Sequence, residues 1–421
     1  MIDSVVIFED EGYKNLLPLV YLRPTYDLLC GVLTIKEKIE KYFHHSVISL
    51  HTRKYLANLV EKDNPTYLVN KIKNDSKTCL FINGRVIVDE SFVNLLNTCD
   101  DNTLILFNDE IIAAKVIGDK LNLFKNELPE LLSKSHFSNL NILEYEATIV
   151  KYPWDLINGN GTEIQKDFNL IVDKKSEMIL GNIYENVSLI NKENIFIDSN
   201  SKIKPGVVLD AELGPIYIGK NVNIMSNSVI EGPCYIGDNS TIKIGAKIYE
   251  NTSIGQVCKV GGEVEESIIH SYSNKQHDGF LGHAYLGQWV NLGADTNNSD
   301  LKNNYGNVKV SLNDNEPIDS GLQFVGLIMG DHSKTSINTM INTGTVVGIS
   351  SNIFGNGFPE KYIPSFSWGG SDSLLTYNLD KSIEVAKAVM QRRNKDFTEI
   401  DKVAFENVFE LTNTERQRRN M

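Results

Sequence analysis

The chain has few cysteines and no long apolar run. Its five cysteines form no CxxC pair, and Cys234 and Cys258 occupy small positions of a six-residue repeat, so we expect reduced core residues in a cytoplasmic protein. Since no apolar run approaches the length of a membrane span, no membrane segment is expected. The net charge of −13 argues against binding nucleic acid or an anionic membrane through a general basic surface.

The first part of the chain also lacks the glycine-rich loops that commonly cradle phosphates. Gly12 is its only early glycine, so neither a GxGxxG nor a Walker loop is present. Short apolar runs, beginning with Ser4–Phe8, nevertheless alternate with helix-like stretches. This alternation predicts an open, Rossmann-like α/β sheet, in which ligands bind beyond the carboxyl ends of the strands.

Residues near these strand ends are candidates for nucleotide binding. Arg23 precedes Pro24 and could contact an anion, although a cap or a salt bridge is an equally good interpretation. Asn83-Gly84-Arg85 follows another apolar strand and is also typical of a hairpin turn. We favour a site role for Arg85 because it stands at the carboxyl end of a strand. The predicted nucleotide-binding residues are Arg23, Lys36, Lys38, Asn83, Gly84 and Arg85.

The stretch from residue 151 to residue 167 is predicted to be a hinge. Pro153 interrupts helix continuation, and Gly159 and Gly161 are typical of a turn. We therefore expect an α/β domain at 1–160, a repeat domain at 161–370 and a C-terminal helical extension at 371–421. The charged extension is expected to cover the end of the repeat domain or a neighbouring subunit.

An unbroken six-residue period organises the middle of the chain. From Pro215 to Gly262, eight aliphatic residues lie six positions apart, and a mostly small or β-branched residue stands two positions before each. They are Ile218, Ile224, Ile230, Ile236, Ile242, Ile248, Ile254 and Val260. The period predicts a left-handed parallel β-helix whose axis these side chains fill. The architecture alone leaves open both an inert solenoid and a hexapeptide acyltransferase.

The period breaks after Val260, and the interruption gathers side chains that can carry chemistry. A polar, asparagine-rich stretch at 297–317 is too long for one rung and is predicted to project as a loop, where function commonly resides. The gathered residues are His270, His277, His283, Tyr285, Asn291, Asn304 and Tyr305.

His283 is the candidate base for acyl transfer. Moving an acyl group from a thioester to an amine needs a base and a donor to the tetrahedral oxyanion, without a metal. His283 precedes the inward Ala284, so alternation turns it outward beside the loop, and an ordinary histidine pKa lies near neutrality. A structural histidine is the alternative interpretation. A zinc hydratase resembling the γ-class carbonic anhydrases is the weaker hypothesis, because zinc in a hexapeptide trimer needs three histidines brought together across a subunit interface, and metal ligands stay unassigned.

Three motifs in the repeat domain resemble those of a known enzyme family. They are Gly282-His283-Ala284-Tyr285-Leu286-Gly287, the stretch from Val290 to Thr296, and Asn304-Tyr305-Gly306. They are similar to motifs in the acetyltransferase half of bifunctional N-acetylglucosamine-1-phosphate uridylyltransferase/glucosamine-1-phosphate N-acetyltransferase enzymes. The N-terminal segments NLLPLVYLRPTYDLLCG, FINGR and YPWDLI resemble a divergent bacterial branch of that family.

The resemblance implies two activities and an assembly. The repeat domain would transfer acetyl from acetyl-CoA to an amino-sugar 1-phosphate such as glucosamine 1-phosphate, and the N-terminal domain would join the sugar phosphate to UTP with Mg²⁺. Family members are homotrimers whose acetyl sites lie between subunits. His283 stands in the place of the catalytic base. The implied substrate contacts are Tyr285, Asn291, Asn304, Tyr305 and Lys275, and the implied acetyl-CoA contacts are Gly326, Lys334, Thr335 and Thr343.

The chain also departs from the family pattern. Tyr285 is one residue closer to the histidine, and the G-x-G-T-R loop is missing. No arginine occurs between Arg85 and Arg392, so lysines would have to hold a sugar phosphate at the repeat domain. The candidate lysines are Lys259, Lys275 and Lys309. Two alternatives stay open: a nucleotidyltransferase whose repeat domain only trimerises the chain, and a non-catalytic sugar-nucleotide-binding scaffold.

Overall fold

The computed structural model describes residues 2–125, 127–313 and 316–421. Its contacts divide the chain into two units. The N-terminal unit comprises the described residues up to 16, with 22–28 and 33–152, and the coil unit comprises 17–21, 29–32 and 153–421. Among the described residues, every helix lacks the combination of length and apolar character that a bilayer span requires.

The N-terminal unit is built on a seven-stranded mixed sheet. Its strands, in spatial order, are Asn141–Glu144, Thr103–Phe107, Glu110–Ile117, Thr78–Asn83, Ser4–Phe8, Val47–Leu50 and Leu68–Val69. Neighbours are parallel except at Glu110–Ile117, which runs antiparallel to both of its neighbours. The apolar run Ser4–Phe8 is buried throughout and occupies an interior position of the sheet. The predicted α/β sheet is therefore confirmed.

Helices and short elements complete this unit. Helices α1 to α4 are Ile35–Tyr42, Ala57–Asp63, Glu90–Thr98 and Gly118–Lys125. Short 3-10 helices are Glu11–Leu16, Thr25–Asp27, Lys54–Leu56 and Lys134–Phe137. The remaining strands are Leu33–Thr34 and the antiparallel pair Val86–Ile87 and Thr148–Ile149.

The coil unit is a left-handed parallel β-helix with three faces. The first face contains Asn182–Ile183, Lys202–Ile203, Asn223–Ile224, Thr241–Ile242, Lys259–Val260 and Asn274–Lys275, and after a bridge at Asn291 it continues with Lys334–Thr335, Asn352–Ile353, Ser367–Gly369 and Leu374–Thr376. The second face contains Ser188–Ile190, Val208–Asp210, Val229–Glu231, Lys247–Ile248, Glu263–Glu265 and Phe280–Gly282, followed by the pair Asn297–Asn298 and Met340–Ile341.

The third face is the longest of the three. Its nine strands are Ile195–Ile197, Ile216–Ile218, Cys234–Ile236, Thr252–Ile254, Ile268–Ile269, Tyr285–Leu286, Ile328–Met329, Val346–Val347 and Tyr362–Ile363. Outside the three faces lie the strand Leu29–Cys30, the 3-10 turn Lys192–Asn194 and the antiparallel hairpin of Lys309–Val310 with Ile318–Asp319.

Aliphatic side chains fill the axis of the coil at the predicted six-residue spacing. All eight predicted axis residues are at most 1% exposed. Removing an isoleucine side chain from water in this way contributes roughly 1.5–3 kcal/mol. The corners need left-handed backbone, which asparagine tolerates, and Asn221 and Asn239 adopt φ values of +55° and +60°. The repeat architecture is therefore confirmed.

The predicted hinge is wrong, because residues 153–171 form a continuous helix. Helix α5 is Pro153–Ile171 and contains both glycines. Pro153 is compatible with the first turn, where its missing N–H has no intrahelical partner to lose. Gly161 permits a close approach to the coil, since a Cβ there would lie 1.8 Å from Asn251 Oδ1. The neighbouring Asn160 donates to the carbonyl of Asn251 at 2.8 Å.

Three C-terminal helices cover part of the coil. Helices α6 to α8 are Leu379–Gln391, Glu399–Leu411 and Asn413–Arg418. Phe405 of α7 meets the His332 ring edge-on at 5.1 Å between centroids, and Phe409 meets Phe366 at 5.0 Å. The buried Arg416 donates to the carbonyl of Ser365 and stacks over Phe409. These contacts attach the extension to the last turns of the coil.

Candidate functional site

His283 occupies the corner that joins the second and third faces. It lies between the strands Phe280–Gly282 and Tyr285–Leu286 and has a left-handed φ of +45°. Glu266 adopts the same kind of backbone one coil earlier, with φ of +42°. Gly282 leaves room for the long loop to return, since a Cβ there would lie 2.4 Å from Asp300 Oδ2. The corner therefore presents His283 beside the loop, as the alternation predicted.

Two carboxylates hold the imidazole of His283. Nδ1 lies 2.9 Å from Asp300 Oδ2, and Nε2 lies 3.1 Å from Glu266 Oε2. The ring of Phe324 stacks on the imidazole with centroids 4.9 Å apart. Neutral imidazole has one N–H, whereas imidazolium has two, so only the protonated ring can donate to both carboxylates.

The charge state of His283 follows from this arrangement. Burial lowers its pKa, but the hydrogen bonds to Asp300 and Glu266 outweigh burial and raise the pKa to about 9. The expectation of a pKa near neutrality is therefore wrong, because neither flanking carboxylate is evident from the residue's immediate neighbours in sequence. In the resting state at neutral pH, His283 is an imidazolium.

Asn291 and Lys334 are neighbours on the outer surface of the first face. Asn291 forms bridges with Asn274 on one side and with Lys334 on the other. Burial lowers the pKa of Lys334 to about 8, and its ammonium donates to the carbonyl of His332 at 2.7 Å. The first face is opposite the corner that carries His283, so one chain does not bring these predicted residues to the imidazole.

Tyr285 is a structural residue in this fold, which corrects its assignment as a substrate contact. It points outward from the third face but is fully buried. Its hydroxyl accepts from the backbone N–H of Leu29 at 3.0 Å and donates to the carbonyl of Leu29 at 3.1 Å. The segment 29–32 covers this part of the face, so Tyr285 has no open side.

Two other assigned residues also face the interior or are already bonded. Lys275 pairs in register with the axis residue Val260, so it points inward, and its ammonium donates to the carbonyl of His277 at 2.8 Å. Burial lowers the pKa of Lys275 to about 8. Thr335 also points inward, where its hydroxyl lies 2.8 Å from that of Thr296. These positions correct the assignments of Lys275 to substrate and of Thr335 to acetyl-CoA.

The remaining coil assignments differ in their surroundings. Gly326 donates its N–H to the carbonyl of His283 at 2.9 Å, and a Cβ there would lie 1.9 Å from Gly282 O, so its role here is close backbone packing. Thr343 is buried and hydrogen-bonds Asn342, which leaves it without an open surface for acetyl-CoA. Asn304 Oδ1 accepts a hydrogen bond from the backbone N–H of Gly306 within the loop, and Tyr305 is 66% exposed.

In the N-terminal unit, Arg85 lies beyond the carboxyl end of the strand Thr78–Asn83, as predicted, and its side chain reaches Asp10 beyond the adjacent strand Ser4–Phe8. Its guanidinium donates to Asp10 at 2.9 and 2.6 Å and to Glu110 at 2.7 Å. Asn83 donates to the same Asp10 carboxylate at 2.8 Å, and Lys151 pairs with Glu110 at 2.8 Å. The structure thus gathers acidic oxygens and basic groups at the edge where ligands of open α/β sheets bind.

The other predicted nucleotide-binding residues are less available. Gly84 packs tightly, since a Cβ there would lie 2.8 Å from the Tyr26 ring. Lys38 is 2% exposed, which corrects its assignment to nucleotide. Lys36 pairs with Asp27 at 3.1 Å, and its assignment stays a prediction. The carbonyl of Arg23 accepts from a buried arginine, Arg53, at 2.8 Å.

The same edge contains a second buried cluster. Glu9 is fully buried and accepts from Arg53 Nε and Nη2, each at 3.1 Å. It also accepts from the backbone N–H of Thr25 at 3.0 Å and from the hydroxyl of Thr52 at 2.9 Å. These bonds attach the 3-10 turn at Thr25 and the residues that follow the strand Val47–Leu50 to the carboxylate that follows the strand Ser4–Phe8.

Comparison with known proteins agrees with the geometry of both units. The sugar nucleotidyl transferase family matches residues 5–176, and the bacterial transferase hexapeptide family, described as six repeats, matches residues 215–249. The chain joins a sugar nucleotidyltransferase domain to transferase hexapeptide repeats.

Two relatives align with most of this chain at modest identity, and a third aligns with less than half of it. A "bifunctional sugar-1-phosphate nucleotidylyltransferase/acetyltransferase" of Sulfurisphaera tokodaii is 25% identical over 77% of this chain and 69% of its own. A "bifunctional protein GlmU" of Methanococcus aeolicus is 25% identical over 91% of this chain and 97% of its own. Another GlmU, of Synechococcus elongatus, is 29% identical over 42% of this chain and 40% of its own. The name of the Sulfurisphaera relative describes two transferase activities.

Sequence reasoning missed several residues of the two candidate sites. Asp10 directly follows the first strand of the nucleotidyltransferase domain, so the rule that selected Arg85 could also have found it. Glu110 is the first residue of a strand, so a rule that selects residues beyond carboxyl ends could not have found it. In the hexapeptide domain, Glu266 and Asp300 reach His283 only through the stacking of coils and the return of the loop.

Proposed function

We propose that the protein is a bifunctional enzyme of sugar-nucleotide synthesis. Its coil unit acetylates an amino-sugar 1-phosphate, for which glucosamine 1-phosphate is the proposed acceptor, from acetyl-CoA. Its N-terminal unit transfers a nucleotidyl group from UTP to a sugar 1-phosphate. The observation that carries the acetyl-transfer assignment is the imidazole of His283, fixed between two carboxylates at a coil corner beside the long loop. A cytoplasmic location is also proposed, since all five cysteines are free thiols.

The two carboxylates suggest different tasks in acetyl transfer. The side chain of Asp300, which contacts Nδ1, is 14% exposed, whereas the side chain of Glu266, which contacts Nε2, is 30% exposed. Asp300 therefore orients the ring through Nδ1–H, and Nε2 is the atom that the acceptor amine approaches. The amine nitrogen forms a bond to the thioester carbonyl carbon, and its proton passes to neutral Nε2. The C–S bond then breaks, and Nε2 returns that proton to the leaving sulfur, which departs as the thiol of CoA. Because the mechanism uses neutral imidazole, the rate depends on proton release from the resting imidazolium.

We further propose that the acetyl site is completed by another copy of the chain in a homotrimer. Asn291 and Lys334 stand on the first face, while His283 stands at the opposite corner. If these residues serve one site, the first face of one subunit must meet the His283 corner of a second. Tyr305 is exposed on the loop and is available to such a shared site.

The N-terminal unit offers a set of groups suited to nucleotidyl transfer. A sugar-phosphate oxygen attacks the α-phosphorus of UTP and pyrophosphate leaves, so catalysis rests on positioning and on neutralising phosphate charge. Asp10 and Glu110 provide the hard oxygen donors that Mg²⁺ prefers, and they would hold it. When bound, Mg²⁺ supplies positive charge to the phosphates. Arg85 bridges both carboxylates and is placed to exchange one of them for a phosphate oxygen.

Two assays on the full chain test this proposal. Thiol release from acetyl-CoA should require glucosamine 1-phosphate, and pyrophosphate release from UTP should require N-acetylglucosamine 1-phosphate and Mg²⁺. Failure of thiol release with an intact trimer would reject this acetyl acceptor and favour a coil that only trimerises the chain. Failure of pyrophosphate release would assign the N-terminal unit to binding without catalysis.

The pH dependence of acetyl transfer follows from the raised pKa of His283. Because the base must be neutral, kcat/KM is expected to rise with pH up to about 9, and the neutral fraction falls tenfold per pH unit below that value. The substitution Asp300→Asn removes one anion that favours imidazolium and so lowers the pKa of His283. The acidic limb of the profile, in which kcat/KM rises with pH, should therefore move to lower pH by about one unit or more. Rate profiles from pH 6 to pH 10 measure this shift.

A matched control separates this effect from general changes of charge. Asp319 is an exposed acid of the same long loop, and Asp319→Asn should leave the acidic limb unchanged. An Asp300→Asn profile that superimposes on that of the unmodified enzyme would show that His283 does not set the limb.

A further inference from the structure

The outer surface of the first face has no carboxylate in a row of ten successive positions. The register of the strands places one outward residue from each coil in this row. The row is Asn182, Lys202, Asn223, Thr241, Lys259, Asn274, Asn291, Lys334, Asn352 and Trp368. The chain as a whole has 54 acidic and 41 basic residues, so an acid-free row stands out against an acidic protein.

The segment after α6 adds arginine to this row. Arg393 Nη2 donates to Asn274 Oδ1 at 2.9 Å, and Asn274 pairs in register with Lys259. Arg392 is exposed beside it. On the adjoining coil, the stem of Lys243 lies over Gly261, where a Cβ would be 2.8 Å from Lys243 Cβ. The C-terminal extension thus supplies the arginine that the coil sequence lacks.

In the part of the chain that the structure describes, none of the four cations Lys243, Lys259, Arg392 and Arg393 forms an ion pair. Burial lowers the pKa of Lys259, and the charges of Arg393, Lys243 and Arg392 lower it further. Like charges held together without a counter-ion are typical of a surface that binds an anion.

We infer that Lys243, Lys259, Arg392 and Arg393 form a phosphate-binding site on the first face, completed by the C-terminal extension. Asn274 takes one of the five N–H donors of Arg393 and orients the guanidinium, so the others remain for the paired oxygens of a phosphate group. The site lies on the same row as Asn291 and Lys334, two and three strands from Lys259. The identity of its ligand rests on the proposed function: the phosphate belongs either to the amino-sugar 1-phosphate or to CoA.

A second copy of the chain is the competing occupant. The second face carries outward carboxylates at Asp210, Glu231 and Glu263, which could meet the cations across a subunit interface. The two occupants differ in their consequences, because loss of a phosphate ligand lowers affinity, whereas loss of an interface lowers the molecular mass of the assembly.

Calorimetric titration of the full chain tests the inference. The probes are glucosamine 1-phosphate, CoA and dephospho-CoA, and the variants are Arg393→Ala, Arg393→Lys and Lys259→Ala. Arg393→Ala should weaken binding of one probe by about tenfold or more. Arg393→Lys should weaken it by less, because lysine keeps the positive charge but lacks the paired N–H donors of a guanidinium. The control is Arg418→Ala, an exposed arginine at the end of α8 that removes the same charge and should change no affinity.

The pattern of losses identifies the phosphate. A loss confined to the sugar phosphate assigns the site to the acceptor, and a loss for CoA that is smaller for dephospho-CoA assigns it to the 3′-phosphate. Unchanged affinities in both alanine variants, or no binding of any probe to the unmodified protein, would overturn the inference. So would a fall in mass by light scattering in Arg393→Ala, which would place a second copy at the cations. If the protein binds a probe through Arg393 but releases no thiol, the phosphate-binding site is supported and only the proposed acetyl transfer is rejected.

Discussion

Replacing His283 with alanine is expected to lower the rate of acetyl transfer by a factor of about 10² to 10⁴, the usual contribution of a general base. The physical reason is that no other histidine is held between Asp300 and Glu266 at this corner. Among the described residues, the substitution removes the only imidazole at the point where the loop returns to the coil. Thiol release from acetyl-CoA, followed at saturating acceptor, measures the loss as a change in kcat.

The histidine at 277 provides a matched control. His277 is exposed, and only its backbone carbonyl is used, as acceptor for Lys275. His277→Ala therefore retains that hydrogen bond and should keep the full rate. The coil should survive in both variants, since His283 lies at a corner and not on the axis. A His283→Ala enzyme with near-normal kcat would remove this residue from the mechanism and favour a coil that serves assembly alone.

The regular part of the coil could be read from the sequence because its constraint is local and repeated. Each axis residue meets its equivalent one coil away, so a period of six is visible without any other part of the chain. The reading fails at Lys275 because the coil shortens there. Registers place Val260 opposite Ile242, 18 positions away, but Lys275 opposite Val260, only 15 positions away. Counting by six therefore missed that Lys275 takes an inward position.

The candidate sites were only partly predictable because they depend on contacts between distant segments. The resemblance assigned Tyr285 to the substrate, but the segment 29–32 covers its side chain, and nothing near Tyr285 in the sequence indicates this contact. His283 was selected for its chemistry, whereas its charge state depends on Asp300 from the loop. The strand-end rule found Arg85 but not the carboxylates that engage it. Residue type and spacing thus located the regions of the two candidate sites. The protonation of His283 and the burial of Tyr285 could be determined only from the fold.

Replacing Arg53 with methionine is expected to destabilise the N-terminal unit by about 3–5 kcal/mol, because removing one member of a buried ion pair leaves an uncompensated charge. The side chains of Arg53 and Glu9 are 3% and 0% exposed, so water cannot replace the lost guanidinium without opening the unit. Thr25 and Thr52 would still donate to Glu9 but would leave its charge unpaired. The double variant Glu9→Gln/Arg53→Met should recover part of the loss, since it removes the charge as well.

Hydrogen exchange on the intact chain measures this loss within one unit. Amides of Ser4–Phe8 and Thr78–Asn83 should exchange about a hundredfold faster or more in Arg53→Met, since each 1.4 kcal/mol corresponds to a factor of ten. The exposed pair Lys134–Asp109 of the same unit, with side chains 44% and 82% exposed, is the control. Lys134→Met should cost no more than about 1 kcal/mol, as exposed ion pairs do. Equal effects of the two substitutions would mean that Glu9 is hydrated or neutralised in solution, and that the Glu9–Arg53 pair does not hold the strand ends together.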